Sequence, residues 1–192
     1  MTATDTTAIS PATLDHAALD TRRLRLRLFQ SGNDSDLALY RDIYGDAAVM
    51  HRIAEPLTVE AAVRGFANVC RHNRAQTPGH RFWRVDEQTT GRRAGLAALR
   101  REGARAEIGV MLFPEWWNRG VCGEIFVALL HYGFTDLGLG AIDARSAEDD
   151  GLPVIERLLA PFGFIRTRAG APDGIGHWEL PKAVWESRRS AN

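Results

Sequence analysis

The sequence predicts an α/β fold, a mixed central sheet containing one parallel pair of strands and flanked by helices. Two observations predict it. Three alternating apolar segments follow one another between Arg81 and Leu112, separated only by turns at Thr90-Gly91 and Glu102-Gly103, the pattern of an antiparallel meander. The third is followed by a loop, a long apolar helix and another short strand. A helix-length crossover makes that strand lie parallel to the earlier one.

In chain order, residues 1–18 have little periodicity and read as a loose tail. Residues 23–29 alternate Arg and Leu, which sends the leucines inward and the arginines to solvent in a first strand. Residues 31–35, Ser-Gly-Asn-Asp-Ser, supply turn and cap chemistry before Leu37, Tyr40, Ile43 and Tyr44, spaced as a short helix. Thr58 caps a second helix whose apolar face carries Val59, Ala62, Val63, Phe66 and Cys70, so Cys70 belongs to the core.

Strands are expected at 81–85, 94–100 and 106–112. In the last, Ile108, Val110 and Leu112 share one face and Glu107, Gly109 and Met111 the other. A glycine inside a strand, here Gly109, predicts a bulge or a close backbone approach. The helix over 121–137 is apolar nearly all round, with Glu124, His131 and Thr135 as a narrow polar stripe, and should be sandwiched on the sheet with His131 at the surface. Residues 141–144 form the parallel strand. A loop at Asp149-Asp150-Gly151, a helix over 152–159, a Gly-Pro turn over 170–176 and a last strand over 177–180 complete the chain.

With 192 residues, 45% hydrophobic and 25% charged, the chain suits one domain, expected over residues 19–192. Zero formal net charge gives no general attraction to nucleic acid or to an anionic membrane, so neither is expected as a partner. Cys70 and Cys122 lack C-x-x-C spacing, which points to neither a disulfide framework nor a zinc site and fits a reducing compartment. Without a signal-like start or a run of about 18 apolar residues, a cytoplasmic location is expected. Asp149 and Asp150 have no further ligands at a recognised spacing, so no metal is predicted.

The stretch most suggestive of chemistry is 111–137. An extended run ends at Pro114, a loop carries Trp116, Trp117, Asn118 and Arg119, and Gly120-Val121-Cys122-Gly123 opens a helix. The first N–H groups of such a helix are unpaired, its dipole is positive there, and glycines let an anion approach, so phosphate binding is one reading and a tight strand-to-helix connection the other. Neither a Walker A sequence nor G-x-G-x-x-G is present.

Ala-Glu-Ile-Gly-Val-Met-Leu at 106–112, with Pro114, Trp117, Arg119-Gly120 and Glu124, resembles the acetyl-CoA-binding core of the GNAT acyltransferases. Within that superfamily the chain is most similar to the ribosomal-protein N-acetyltransferase (Rim-type) group, and the likeness runs from about Leu19 to Leu180. It implies the GNAT fold, with the parallel pair splayed around the pantetheine arm of acetyl-CoA. Met111, Leu112 and Phe113 would then lie along that arm, and Asn118, Arg119, Gly120, Val121, Cys122, Gly123 and Glu124 around the pyrophosphate. Residues 44–56 would help to form the acceptor site. Asp150 stands nearest to the family's asparagine, and Pro153 where a serine is usual.

The likeness also implies Glu107 as the base that takes a proton from the acceptor amine; an exposed strand carboxylate paired to an arginine is the other reading. No tyrosine lies between Leu152 and Phe164 to protonate the leaving thiolate, and Cys122 matches a small packing residue. The expected activity is acetyl-CoA-dependent N-acetyl transfer to a protein N-terminus or a small amine by a monomer or homodimer. A non-catalytic acyl-CoA-binding or partner-binding protein is the alternative.

Overall fold

The computed structural model describes residues 18–75, 79–168 and 174–190. The tail expected over residues 1–18 falls outside them apart from Ala18, as do residues 170–173 of the expected turn. Among the described residues eight strands form one sheet: β1 (Leu19–Asp20), β2 (Leu24–Leu28), β3 (Arg81–Glu87), β4 (Arg93–Glu102), β5 (Arg105–Leu112), β6 (Ala141–Ala147), β7 (Ile165–Arg168) and β8 (Ile175–Pro181). Their order is β1-β2-β3-β4-β5-β6-β8-β7, and only β5 and β6 run parallel.

Helices cover both faces. On one side α1 (Asp34–Gly45), α2 (Ala47–Met50) and α3 (Val59–Arg74) close a core of Phe29, Leu39, Tyr40, Ile43, Phe66 and Val69 over the β2–β4 half of the sheet. On the other, α4 (Val121–His131), α5 (Leu152–Leu159) and α6 (Lys182–Ser190) pack on the larger cluster holding Leu24, Leu26, Trp83, Leu99, Ile125, Leu129 and Leu180. All seven of these are fully buried, and each such side chain contributes about 1.5–3 kcal/mol of burial free energy. Asn33 caps α1 by accepting from Asp36 N–H, and Thr58 caps α3 by accepting from Ala61 N–H, as the sequence predicts.

Several local expectations are corrected. Arg27 does not simply face water, because it donates two hydrogen bonds to the fully buried Asp36, which also accepts from Arg84 Nη1 at 2.9 Å and Gln30 N–H at 3.0 Å. Gly109 makes no bulge and stays in register opposite Ala98. The irregularity lies in β4, where Val85 and Asp86 pair with Gly95 and Arg93. Gly95 has φ +157, and a Cβ there would stand 2.0 Å from Met111 O, so the close backbone approach belongs to Gly95.

The helix expected over 121–137 is α-helical only to His131 and continues as a π turn over Tyr132–Asp136, with Leu137 N–H bonded to Tyr132 O at 3.0 Å. The wider turn buries both Tyr132, edge-on to Trp83, and Phe134, tilted against Trp185. The short elements β1, α2 and α6 have too few apolar positions to register as a period. Among the described residues no helix is long and apolar enough to cross a membrane.

Candidate functional site

The parallel pair is joined only at its beginning. Arg105, Ala106 and Glu107 pair with Ala141, Ile142 and Asp143; beyond them β6 stays with β8 as far as Ala147, while β5 runs on with β4 to Leu112. The strands therefore part after Glu107. Phe113 N–H bonds to Ala94 O, so ladder alternation turns the main-chain groups of Leu112 and Val110 toward the gap. Leu112 C=O is taken there by the Trp117 indole N–H at 2.8 Å. The Met111 side chain lies against the α1–α3 core, Leu112 on the α4 side and Phe113 against both, and the main-chain groups of Val110 and Leu112 border the opening.

The gap leads to the start of α4. A single 3₁₀ turn over Pro114–Trp116 follows β5, and buried Trp116 pins it by donating to Arg93 O. Asn118 (φ 56) and Gly120 (φ 69) are left-handed, which folds the loop back over the helix end. Gly120 is the N-cap and offers no side chain, and no side chain caps α4. Glu124 N–H already bonds to Gly120 O at 3.3 Å, so the free amides are those of Val121, Cys122 and Gly123. A Cβ built on Gly123 would meet nothing within 4 Å, and one on Gly120 only Arg23 Nη2 at 3.8 Å.

Unpaired amides, a helix dipole, open space and a nearby guanidinium make a fit for an anion. The Glu124 carboxylate does not face it; it accepts from Arg23 N–H at 2.7 Å, Arg23 Nε at 2.6 Å and Thr21 Oγ1 at 2.5 Å. Burial by itself would raise that carboxyl, and the bonds from Thr21 and Arg23 more than offset this, holding it below the ordinary value. Arg23 Nη1 donates in addition to Arg119 O, so the β1–β2 turn braces the loop. Cys122 lies beside the free amides, but burial pushes its thiol up to about 12, which keeps it protonated and a poor nucleophile.

Asp149 and Asp150, after β6, pair with Arg52 from the segment following α2, at 3.6 Å and 2.7 Å. Asp150, read from sequence as a cofactor residue, thus stands at the surface, tied to the 44–56 segment rather than to the α4 turn. Among the described residues no group of three or more His, Cys, Asp or Glu side chains could hold a metal.

On the face opposite α4, helices α1–α3 stop short of β5, β6 and β8, leaving a cleft of about 590 Å³. Across it Arg100, Glu107, Asp143 and Glu179 stand in register on four neighbouring strands. Glu107 is clasped by Arg100 at Oε1 and Arg145 at Oε2, and Arg105 joins Asp143 to Glu179. His80 also lines the cleft. Burial, and then His72 and Arg100, hold its imidazole below the ordinary value, so it is neutral at pH 7. The sequence reading found Glu107 and missed Arg100, Asp143, Arg145 and His80. The signal for Asp143 and Arg145 was their alternation with buried Ile142 and Ala144, which puts them on the Glu107 face once β6 lies parallel to β5.

Comparison with known proteins agrees with this geometry. A family model described as "Acetyltransferase (GNAT) domain" matches residues 23–151. The "Uncharacterized N-acetyltransferase YoaA" of Bacillus subtilis (strain 168) is 39% identical over 70 residues, 36% of this chain and 38% of that protein, so the match spans well under half the length of either. Among solved structures, an acetyltransferase (GNAT family) from Bacillus anthracis superposes with a TM-score of 0.69 at 20% identity, covering 86% of this chain and 99% of the other. The spermidine N-acetyltransferase from Vibrio cholerae, solved with CoA and spermine, gives 0.69 at 20% identity over 85% of this chain and 98% of its own. With its strands splayed after Glu107 and a family match over most of its length, the chain belongs to the GNAT acetyltransferase family.

Proposed function

We propose that this protein transfers the acetyl group of acetyl-CoA to a primary amine by direct attack in a ternary complex. The observation that carries the reading is the parting of β5 and β6 after Glu107, a residue that lines the cleft on one face, with the uncapped start of α4 following the far end of β5. The α4 amides of Val121, Cys122 and Gly123, with Arg23 beside them, would hold the pyrophosphate. The outward main-chain edge at Val110 would hold the pantetheine arm and polarise the thioester carbonyl.

An acceptor amine in the cleft is an ammonium at neutral pH, because lysine-type amines titrate near about 10.4 and α-amines near about 8. Glu107 takes one proton from it, directly or through water, once a guanidinium moves off the carboxylate. The neutral nitrogen then attacks the carbonyl, the N–C bond forms, the C–S bond breaks, and the second amine proton ends on the departing thiolate. The high titration of the Cys122 thiol argues against an acetyl-cysteine route.

A second reading, an acyl-CoA binder without turnover, draws support from the two arginines on Glu107 and from the lack of a tyrosine in the segment from Leu152 to Phe164. Release of free thiol from acetyl-CoA in the presence of amines separates the two. Amine-dependent release upholds transfer, and tight acetyl-CoA binding without it upholds the binder.

The Rim-type likeness favours a protein N-terminus as the acceptor. The solved spermidine N-acetyltransferase, similar in fold, acts on a polyamine, so small amines belong in the same assay.

A further inference from the structure

The charges around Glu107 are arranged for an exchange. Its carboxylate is mostly buried, with 13% of the side chain exposed, whereas the two guanidiniums that clasp it, Arg100 and Arg145, are 53% and 51% exposed. Glu107 Oε2 lies against Arg145 yet accepts no aligned hydrogen bond from any described residue, which leaves a buried acceptor without a directed donor. Two guanidiniums on one carboxylate carry one net positive charge at the point where the strands part. The neighbouring pair of carboxylates, Asp143 and Glu179, is held by Arg105 alone and carries one net negative charge.

We propose that the acceptor is an amine with a carboxylate close to its nitrogen, which enters by ion-pair exchange: its N–H takes Glu107 Oε2 and its carboxylate takes the guanidinium of Arg145. The inference rests on the proposal that Glu107 meets the reacting amine. Exchange leaves no charge unpaired, since each protein ion trades one partner for an equivalent one, and it releases Glu107 to accept the proton. A polyamine cannot complete it. Its N–H would displace Arg145 from Glu107 Oε2 and bring no anion to meet that guanidinium, a loss that an acceptor carrying its own carboxylate avoids. An α-amino acid and a peptide beginning with Asp or Glu share the required chemistry.

The balanced step is R–NH3⁺ plus acetyl-S-CoA giving R–NH–CO–CH3, CoA-SH and one proton. The first amine proton passes to Glu107 and then to solvent, and the second goes to the thiolate.

The test measures thiol release from acetyl-CoA with matched acceptors: free amino acids, their amides, peptides beginning with Asp or with Ala, and spermidine. The acids should exceed their amides in kcat/KM by roughly tenfold or more, the worth of one charge-assisted hydrogen bond. Arg145→Gln should bring that ratio close to one, and Arg145→Lys, which keeps the charge, should retain part of it. Faster turnover of amino acids than of Asp-initiated peptides, or the reverse, identifies the source of the carboxylate, and either supports the proposal.

Equal rates for acids and amides, or spermidine as the best acceptor, overturn it while leaving acetyl transfer in place. An unchanged acid-to-amide ratio in Arg145→Gln, with thermal melting confirming the fold, overturns the role of Arg145. Absence of release with every acceptor takes the transfer reading down with it.

Discussion

Replacing Gly120 by aspartate tests the anion site with two separable readouts. Gly120 has φ +69, so any side chain there costs about 1–2 kcal/mol of backbone strain, least for Asp and Asn. The space is open, since a Cβ meets only Arg23 Nη2 at 3.8 Å. A carboxylate able to reach the free amides of α4 returns about 0.5–2 kcal/mol of capping. The melting temperature should therefore stay within about 4 °C of the parent for a chain of this size.

Binding should not survive. The new carboxylate takes about two amide hydrogen bonds from the pyrophosphate, at about 1.5 kcal/mol each net. It also adds about 1.7 kcal/mol of repulsion from the nearer phosphate charge at about 5 Å and an effective dielectric of about 40. The sum, about 4–5 kcal/mol, weakens the acetyl-CoA Kd by roughly a thousandfold in calorimetry. Gly120→Ala carries the strain without the charge and should keep most of the affinity. Unchanged binding in a folded Gly120→Asp protein would refute the assignment of phosphate to this turn.

Glu107→Gln should lower kcat/KM by roughly 10²–10⁴-fold with little change in acetyl-CoA affinity; a variant that keeps the acidic limb of the wild-type pH–rate profile assigns that limb elsewhere. Cys122→Ala should retain kcat within about threefold and the protein should yield no acetylated cysteine by mass spectrometry, since a thiol pushed up to about 12 is not ionised at pH 8. Glu124, depressed from 4.5 by Thr21 and Arg23 despite its burial, stabilises the fold fully above 4.5 and loses that contribution as pH falls through its lower native value. Melting curves from pH 7 to pH 3 should thus fall less steeply below about pH 4.5 for Glu124→Gln than for the parent.

The strand–loop–helix core was legible because each step has a local cause: alternation in β5, glycines at the turn, and a capless helix start at Val121. Splaying was implied by resemblance alone, because periodicity does not say where two paired strands part. The bulge was misplaced to Gly109 because a glycine in a strand announces itself, whereas the constraint at Gly95 comes from Met111 O, sixteen positions away in sequence.

In the cleft, a strand carboxylate such as Asp143 reads as solvated until its neighbours are known. Arg100, Glu107, Asp143 and Glu179 come together only through pairing of four strands drawn from eighty residues of chain. Glu124 illustrates a further limit. The resemblance places it around the pyrophosphate, and no local pattern tells that its carboxylate braces Thr21 and Arg23, a contact spanning about a hundred positions.

Acetyl transfer itself is tested most directly by incubating the protein with acetyl-CoA and the acceptor panel, following thiol release while mass spectrometry tracks each amine. The proposed function predicts release that depends on an amine, matched mole for mole by a product 42 mass units heavier. Saturable acetyl-CoA binding with no thiol release above hydrolysis and no acetylated amine would contradict it.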